Sequence, residues 1–284
     1  MNRTYMVAGH RFMVSGDRLC KAAEGIAGLR AFEAADGETL FSFIEDSNAP
    51  VMRNEQYTLE YENVKGSFGR TDNGHLLTLE TSDENALYLW HDDGGNEVRV
   101  SGCLSVQLLR FALWLGYGLM VLPYGTVAVH SSCIVYRDRA VLFLGESGTG
   151  KSTHTRLWRE NVEGSFLLND DSPILKVENG EVWAYGSPWS GKTPCYRQER
   201  YRLEACVRLS QAPYNSMRKL SVLQAYGAVH PSCPPEFAYD SRLYNHVGDI
   251  IGKLLPAVAF YHLDCLPSGE AALLACRTIF SDTI

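Results

Sequence analysis

The sequence predicts a mixed α+β and α/β protein in two parts: an antiparallel β region over residues 1–102 and a nucleotide-binding domain with mixed sheets over residues 103–284. Three observations carry this. The N-terminal part consists of short runs rich in Val, Tyr, Phe, Leu and Thr, separated by turn tokens such as Asp36-Gly37, Asn73-Gly74 and Gly94-Gly95. A long apolar helix follows. Beyond it, a strand hairpin feeds directly into a glycine-rich loop and a second helix.

In chain order, the N-terminal strands are TYMVAGHRFMV, TLFSFIED, QYTLEYENV, GHLLTLETS, ALYLWHD and NEVRVSG. TLEYENV and LLTLETS alternate apolar and polar residues, as half-exposed antiparallel strands do. Leu19 to Arg30 reads as helix or loop, and no catalytic constellation lies in this region, which is read as an accessory domain. Phe111 to Val129 holds nineteen residues without a charge, close to the ~20 needed to span a bilayer. Pro123 and Gly125 divide it, so a buried helix over Leu104–Val121, a turn and a strand from Thr126 are predicted rather than a membrane span. CIVY (Cys133–Tyr136) and AVLFLG (Ala140–Gly145) form a hairpin around Arg137-Asp138-Arg139. GESGTGKST and the helical THTRLWRE follow, then the strand Ser165–Asp170, and a second hairpin around Asn179-Gly180.

Composition bounds the function. Of 284 residues 45% are hydrophobic and 21% charged, which excludes a disordered, collagen-like or coiled-coil chain. A net charge of −7 argues against general nucleic-acid binding. The eight cysteines contain no C-x-x-C pair, so they suggest free thiols in a reducing compartment rather than a zinc or redox motif. The N-terminus lacks the pattern of a signal peptide, and a cytoplasmic protein is expected.

Gly145-Glu146-Ser147-Gly148-Thr149-Gly150-Lys151-Ser152 fits the phosphate-loop pattern G-x-x-x-x-G-K-[ST] in full, and Thr153 continues it into the helix. Glycines permit positive φ, so successive backbone N–H groups can turn inward as an anion nest. The loop opens a helix, whose dipole adds positive potential. Lys151 is placed to reach the β- and γ-phosphates of a nucleoside triphosphate, and Ser152 to offer its hydroxyl to Mg²⁺. Gly191-Lys192-Thr193 lacks the upstream glycine spacing and is not a second loop.

Nineteen residues after Lys151 come Asp170 and Asp171, at the end of an apolar run. Adjacent carboxylates there need a compensating cation or proton. One can hold Mg²⁺ while the other accepts the proton of an attacking hydroxyl. A hairpin before the loop, and so short a path from loop to acids, predicts a mixed sheet. Trp183, Tyr185 and Trp189 could stack on a base, but aromatic residues at strand spacing more often belong to a core.

The order His130, small residue, Ser132, hairpin, GxSGxGKS, helix, strand, Asp-Asp resembles the kinase domain of the HPr kinase/phosphorylase-like family, whose nucleotide fold is of the phosphoenolpyruvate carboxykinase type. GSPWSGK (Gly186–Lys192) is similar to that family's TPWSG segment, and the stretch from Tyr201 to Ser221 to its "PL-x-A-hydrophobic-x-L…N…R-L-S" stretch. The likeness runs from about Val129 to Leu274. It implies an ATP- and Mg²⁺-dependent kinase that passes the γ-phosphate to a hydroxyl of a protein, peptide or small molecule. It implies Asp170 as base, His130 assisting it, Lys151 as the phosphate cation, and Asp171 with Ser152 at the metal. It leaves a homo-oligomer open. Arg197, Arg200 and Lys192 are candidate phosphate or acceptor contacts, with a solvated basic face as the plainer account of each. The chain departs from the family at Thr153, where the family carries Glu, and in its N-terminal region. A non-catalytic or weakly hydrolytic ATP-binding module that regulates a partner is the alternative.

Overall fold

The computed structural model describes residues 1–61, 63–191 and 193–281. The chain divides into two compact units, Met1–Pro123 with Glu236–Tyr244, and Tyr124–Pro235 with Asn245–Ile284. The division falls after Pro123 rather than after residue 102, because the long apolar helix packs within the first unit.

The first unit holds an eight-stranded sheet. Its strands are β1 (Asn2–Val7), β2 (His10–Ser15), β3 (Phe41–Glu45), β4 (Asn54–Tyr61), β5 (Val64–Arg70), β6 (Gly74–Thr81), β7 (Glu84–Asp92) and β8 (Glu97–Gly102), in the order β1-β2-β3-β8-β7-β6-β5-β4. The first apolar run is a hairpin rather than one strand, turning at Ala8 (φ 48°) and Gly9 (φ 77°). The expected all-antiparallel arrangement does not hold: β3 is parallel to both β2 and β8. The reason is the crossover between β2 and β3, which contains α1 (Asp17–Glu24) and a 3₁₀ turn (Leu29–Phe32). A strand reached by a crossover of that length can return in the same direction, whereas a tight turn forces reversal. Helix α2 (Val106–Val121) closes the core, where Phe12, Phe41, Phe43 and Tyr117 cluster and the Tyr117 hydroxyl donates to the carbonyl of Val7 at 3.0 Å. Among the described residues, the segment Val106–Tyr124 is the one helix long and apolar enough to cross a membrane by length and composition, and 67% of it is buried within the structure.

The second unit is built on a nine-stranded mixed sheet. It comprises β9 (Thr126–Ala128), β10 (Ser131–Tyr136), β11 (Arg139–Leu144), β12 (Phe166–Asp171), β13 (Ile174–Glu178), β14 (Glu181–Tyr185), β15 (Arg200–Gln211), β16 (Ser216–Lys219) and β17 (Ala259–Cys265). β10 lies antiparallel between β11 and β12, while β11, β15 and β17 run parallel. The hairpin turn is two residues, Arg137 (φ 49°) and Asp138 (φ 57°), one shorter than expected. Positive φ at both positions matches the right-handed twist of the flanking strands. The carboxyl ends of β11, β12, β15 and β17 therefore share one edge, the usual location of ligand sites in open sheets with parallel strands. Helices α3 (Lys151–Asn161) and α4 (Gly269–Ile279) cover one face over a core that includes Ile134, Phe143, Trp158, Val207 and Leu263.

Candidate active site

The glycine-rich loop joins β11 to α3 at that edge. Gly145, Gly148 and Gly150 adopt φ of 150°, 82° and 100°, conformations that an L side chain resists. Glu146 and Ser147 are exposed, and Thr149 Oγ1 donates back to the Glu146 carbonyl at 2.9 Å, tightening the turn. Lys151 is the first residue of the helix and folds into the loop. Its ammonium donates to the carbonyls of Gly145 (2.8 Å) and Glu146 (3.1 Å), and stands 2.9 Å from His130 Nε2. Burial lowers its pKa, opposed by Asp171 and Asp170.

The register of β10 brings the acids to the loop. Ser131 pairs with Leu144 on one side and Asp171 on the other, and Ser132 pairs with Asp170. Asp170 is thus two strands from the loop, roughly 10 Å of backbone separation that side chains can bridge. Its Oδ1 accepts hydrogen bonds from Ser152 Oγ (2.9 Å) and Ser132 Oγ (2.8 Å). Thr155 Oγ1 sits 3.0 Å from Ser132 Oγ, adding a further hydroxyl from α3. Asp170 Oδ2 is buried and has no partner among the described residues.

Asp171 lies at the strand end with φ 143° and faces the other way, Oδ1 standing 3.3 Å from His130 Nδ1. Such a backbone costs on the order of 1–3 kcal/mol and persists only where the surroundings impose it. Here the GSPWSG segment imposes it. Asp171 bridges to Ser190, and the Gly191 N–H donates to the Asp170 carbonyl. A Cβ on Gly191 would lie 2.8 Å from that carbonyl oxygen, so the close approach requires glycine. Buried Asn169 ties the same segment down, donating to Ser187 Oγ (3.2 Å) and to the Trp189 carbonyl (3.3 Å), while its Oδ1 accepts from Ser172 N–H (2.9 Å).

Sequence-predicted residues therefore fall in two groups. Lys151, Ser152, His130, Asp170 and Asp171 come together with the loop. Arg200 does not: it lies over the Trp183 ring at 4.6 Å and bonds Glu178 (3.0 Å) and the Tyr185 hydroxyl (2.9 Å). Arg197 sits over Phe166 at 4.9 Å, and Lys192 lies outside the described residues. Ser132, Thr155 and Asn169 were not selected from sequence. Ser132 had a readable signal, since strand alternation puts it on the same face as Ile134, toward α3.

The donor set suits Mg²⁺. A serine hydroxyl and a carboxylate are hard oxygen ligands, and Mg²⁺ takes few protein ligands beside phosphate oxygens and water. The partnerless Asp170 Oδ2 is a buried anion that such a cation would satisfy. Among the described residues no three His, Cys, Asp or Glu side chains gather as a metal cage.

One helix residue behind the loop carries a pH dependence. His154 is buried, receives the Trp158 Nε1–H at 3.2 Å on Nε2, and meets the Phe143 ring edge-on. Burial pushes its pKa down to about 4 from 6.5. Between those values the unfolded chain binds a proton that the folded chain refuses, so stability falls as pH drops through that window. The contribution lost is about 3 kcal/mol. Urea unfolding at pH 7 and pH 4 checks this; the decline should be smaller by about that amount in His154→Gln.

Fold and site together define a mixed α/β unit with a glycine-rich, helix-opening loop and an acid pair beside it. No family model matches the chain, and no curated protein matches it. The matching solved structures include the HPr(Ser) kinase/phosphatase from Coxiella burnetii, at 14% identity and a TM-score of 0.30, covering 55% of this chain and 89% of that one.

Proposed function

We propose that this chain is an ATP- and Mg²⁺-dependent phosphotransferase that moves the γ-phosphate to a hydroxyl of a protein, peptide or small molecule. The observation that carries it is the union of Lys151, the Ser152–Asp170 hydrogen bond and the Asp171–His130 pair at one sheet edge. The sequence resemblance in loop, acid pair and GSPWSG segment supports the same reading. Ser152 and Asp170 would hold Mg²⁺, which when bound neutralises charge on the phosphates.

The geometry favours a division of labour opposite to the one the resemblance implies. Asp170 is enclosed and committed to two serine hydroxyls, so it suits the metal side. Asp171 is partly open to solvent and suits the base. Its orientation follows from donor counting. An ammonium only donates, so His130 Nε2 accepts from Lys151 and the ring proton rests on Nδ1, aimed at Asp171 Oδ1. This fixes the carboxylate and leaves its other oxygen to take the acceptor's proton. General-base assistance of this kind contributes ~10²–10⁴-fold.

Weak hydrolysis is the second reading, because the same openness of Asp171 (35%) and His130 (49%) admits water. Terminally labelled ATP separates the two. Incubation with magnesium and fractionated cell extract should move label into a product other than phosphate, and Asp171→Asn should abolish that transfer. Label appearing only in phosphate, at a rate no fraction alters, favours hydrolysis. No binding of ATP or GTP by calorimetry would sink both.

A further inference from the structure

The loop has a second flank, on the side away from the acid pair. Register carries a row of residues across the sheet from Leu144 at the loop's base to Arg208 on β15 and then His262 on β17. Arg208 extends to the loop, its guanidinium 3.9 Å from Glu146 Oε1, beyond hydrogen-bond length. The side chain is only 30% exposed, and among the described residues it donates no hydrogen bond. This sets it apart from Arg70, Arg99 and Arg200, each of which hydrogen-bonds a carboxylate. Three residues on, at the end of β15, Gln211 Nε2 donates to the Gly148 carbonyl at 3.2 Å and so ties the loop to the same strand. His262 is already occupied by Asp264 Oδ1 at 3.1 Å.

A guanidinium offers five N–H donors in a planar fork that matches phosphate oxygens. Arg208 is paired only loosely with the exposed Glu146 and is otherwise open to water, so its donors are available to phosphate oxygens without breaking an internal hydrogen bond. We propose that Arg208 is a phosphate-contacting residue that grips the diphosphate part of the bound nucleotide from the β15 side, with Gln211 as the positioning residue that holds the loop toward it. This rests on the nucleotide reading above and adds a second cation, opposite Asp170 and Asp171, to the one the loop motif supplies.

Calorimetry of the full chain with magnesium pyrophosphate and with MgATP tests it. Arg208→Ala should weaken both by about 30-fold, the range of hydrogen bonds to a charged group. Arg208→Lys keeps the charge but not the fork, and should weaken both by about fivefold. Heat unfolding of each variant checks the fold; if Arg208→Ala unfolds, the lysine variant decides. Either folded variant binding both ligands within twofold of the natural chain overturns the proposal. So does a loss confined to MgATP with pyrophosphate unaffected, which places Arg208 on the nucleoside. If the natural chain binds neither ligand, the nucleotide reading falls and this proposal with it. If it binds both, Lys151→Ala binds them far more weakly, and Arg208→Ala binds like the natural chain, only the Arg208 proposal falls.

Discussion

Asp170→Asn is expected to reduce turnover by about a thousandfold, roughly 4 kcal/mol of transition-state stabilisation, while leaving the fold more stable than the natural chain. Both effects have one cause. Asp170 is buried with Oδ2 partnerless, and its Oδ1 gathers the hydroxyls of Ser132 and Ser152. Removing the charge relieves a buried carboxylate whose second oxygen has no partner, which should add ~1–2 kcal/mol of stability. The amide, however, presents either an N–H group or a neutral oxygen where a cation needs an anion. Affinity for ATP without magnesium should be unchanged or slightly higher, because an anion near the phosphates has gone. The magnesium-dependent gain in affinity should shrink. Steady-state turnover, calorimetry with and without magnesium, and heat unfolding read the three separately. Turnover within tenfold of the natural chain, or a marked loss of stability, would contradict this role for Asp170.

Lys151→Ala is expected to weaken MgATP binding by about a hundredfold, near 3 kcal/mol, in keeping with loss of charge-assisted hydrogen bonds in a partly desolvated site. The Lys151 ammonium is already inside the loop, held by the Gly145 and Glu146 carbonyls and close to His130. Binding therefore requires only a short reorientation of a group that is in place. The same substitution removes the donor that sets the His130 tautomer, so any residual turnover should also lose its dependence on Asp171. Burial depresses the Lys151 pKa, and in the free chain its charge is lost at lower pH than that of an exposed lysine. Affinity for the triphosphate should fall correspondingly early as pH rises. Calorimetry across pH, with Lys151→Arg as the charge-retaining control, checks both statements. An alanine variant binding within fivefold of the natural chain would remove the loop from the ligand site.

The second unit was more legible than the first because its signals are local. Asn179-Gly180 at a hairpin turn (φ 51° and 79°), the apolar strand before Gly145 and the helix after Lys151 each depend on a few consecutive residues. In the first unit, the parallel placement of β3 depends on a crossover whose path involves residues far apart in the chain, and no short pattern reports it. The braces of the site were hidden for a similar reason. Asn169 and Ser187 look like ordinary polar residues until β12 and the GSPWSG segment are side by side.

The linear chain already carried the local geometry of the loop, since glycine spacing and the helix start at Lys151 depend on neighbours in sequence. It carried the existence of an acid pair and the mixed sheet as well. Which partners each acid meets was open until folding. Neighbouring strand residues face opposite ways, so the partners of Asp170 and Asp171 depend on registration with β10 and on the unusual φ held by Ser190 and Gly191. The placement of Arg208 beside the loop is likewise a product of strand order, because β15 begins more than fifty residues after β11 and meets it only in the assembled sheet.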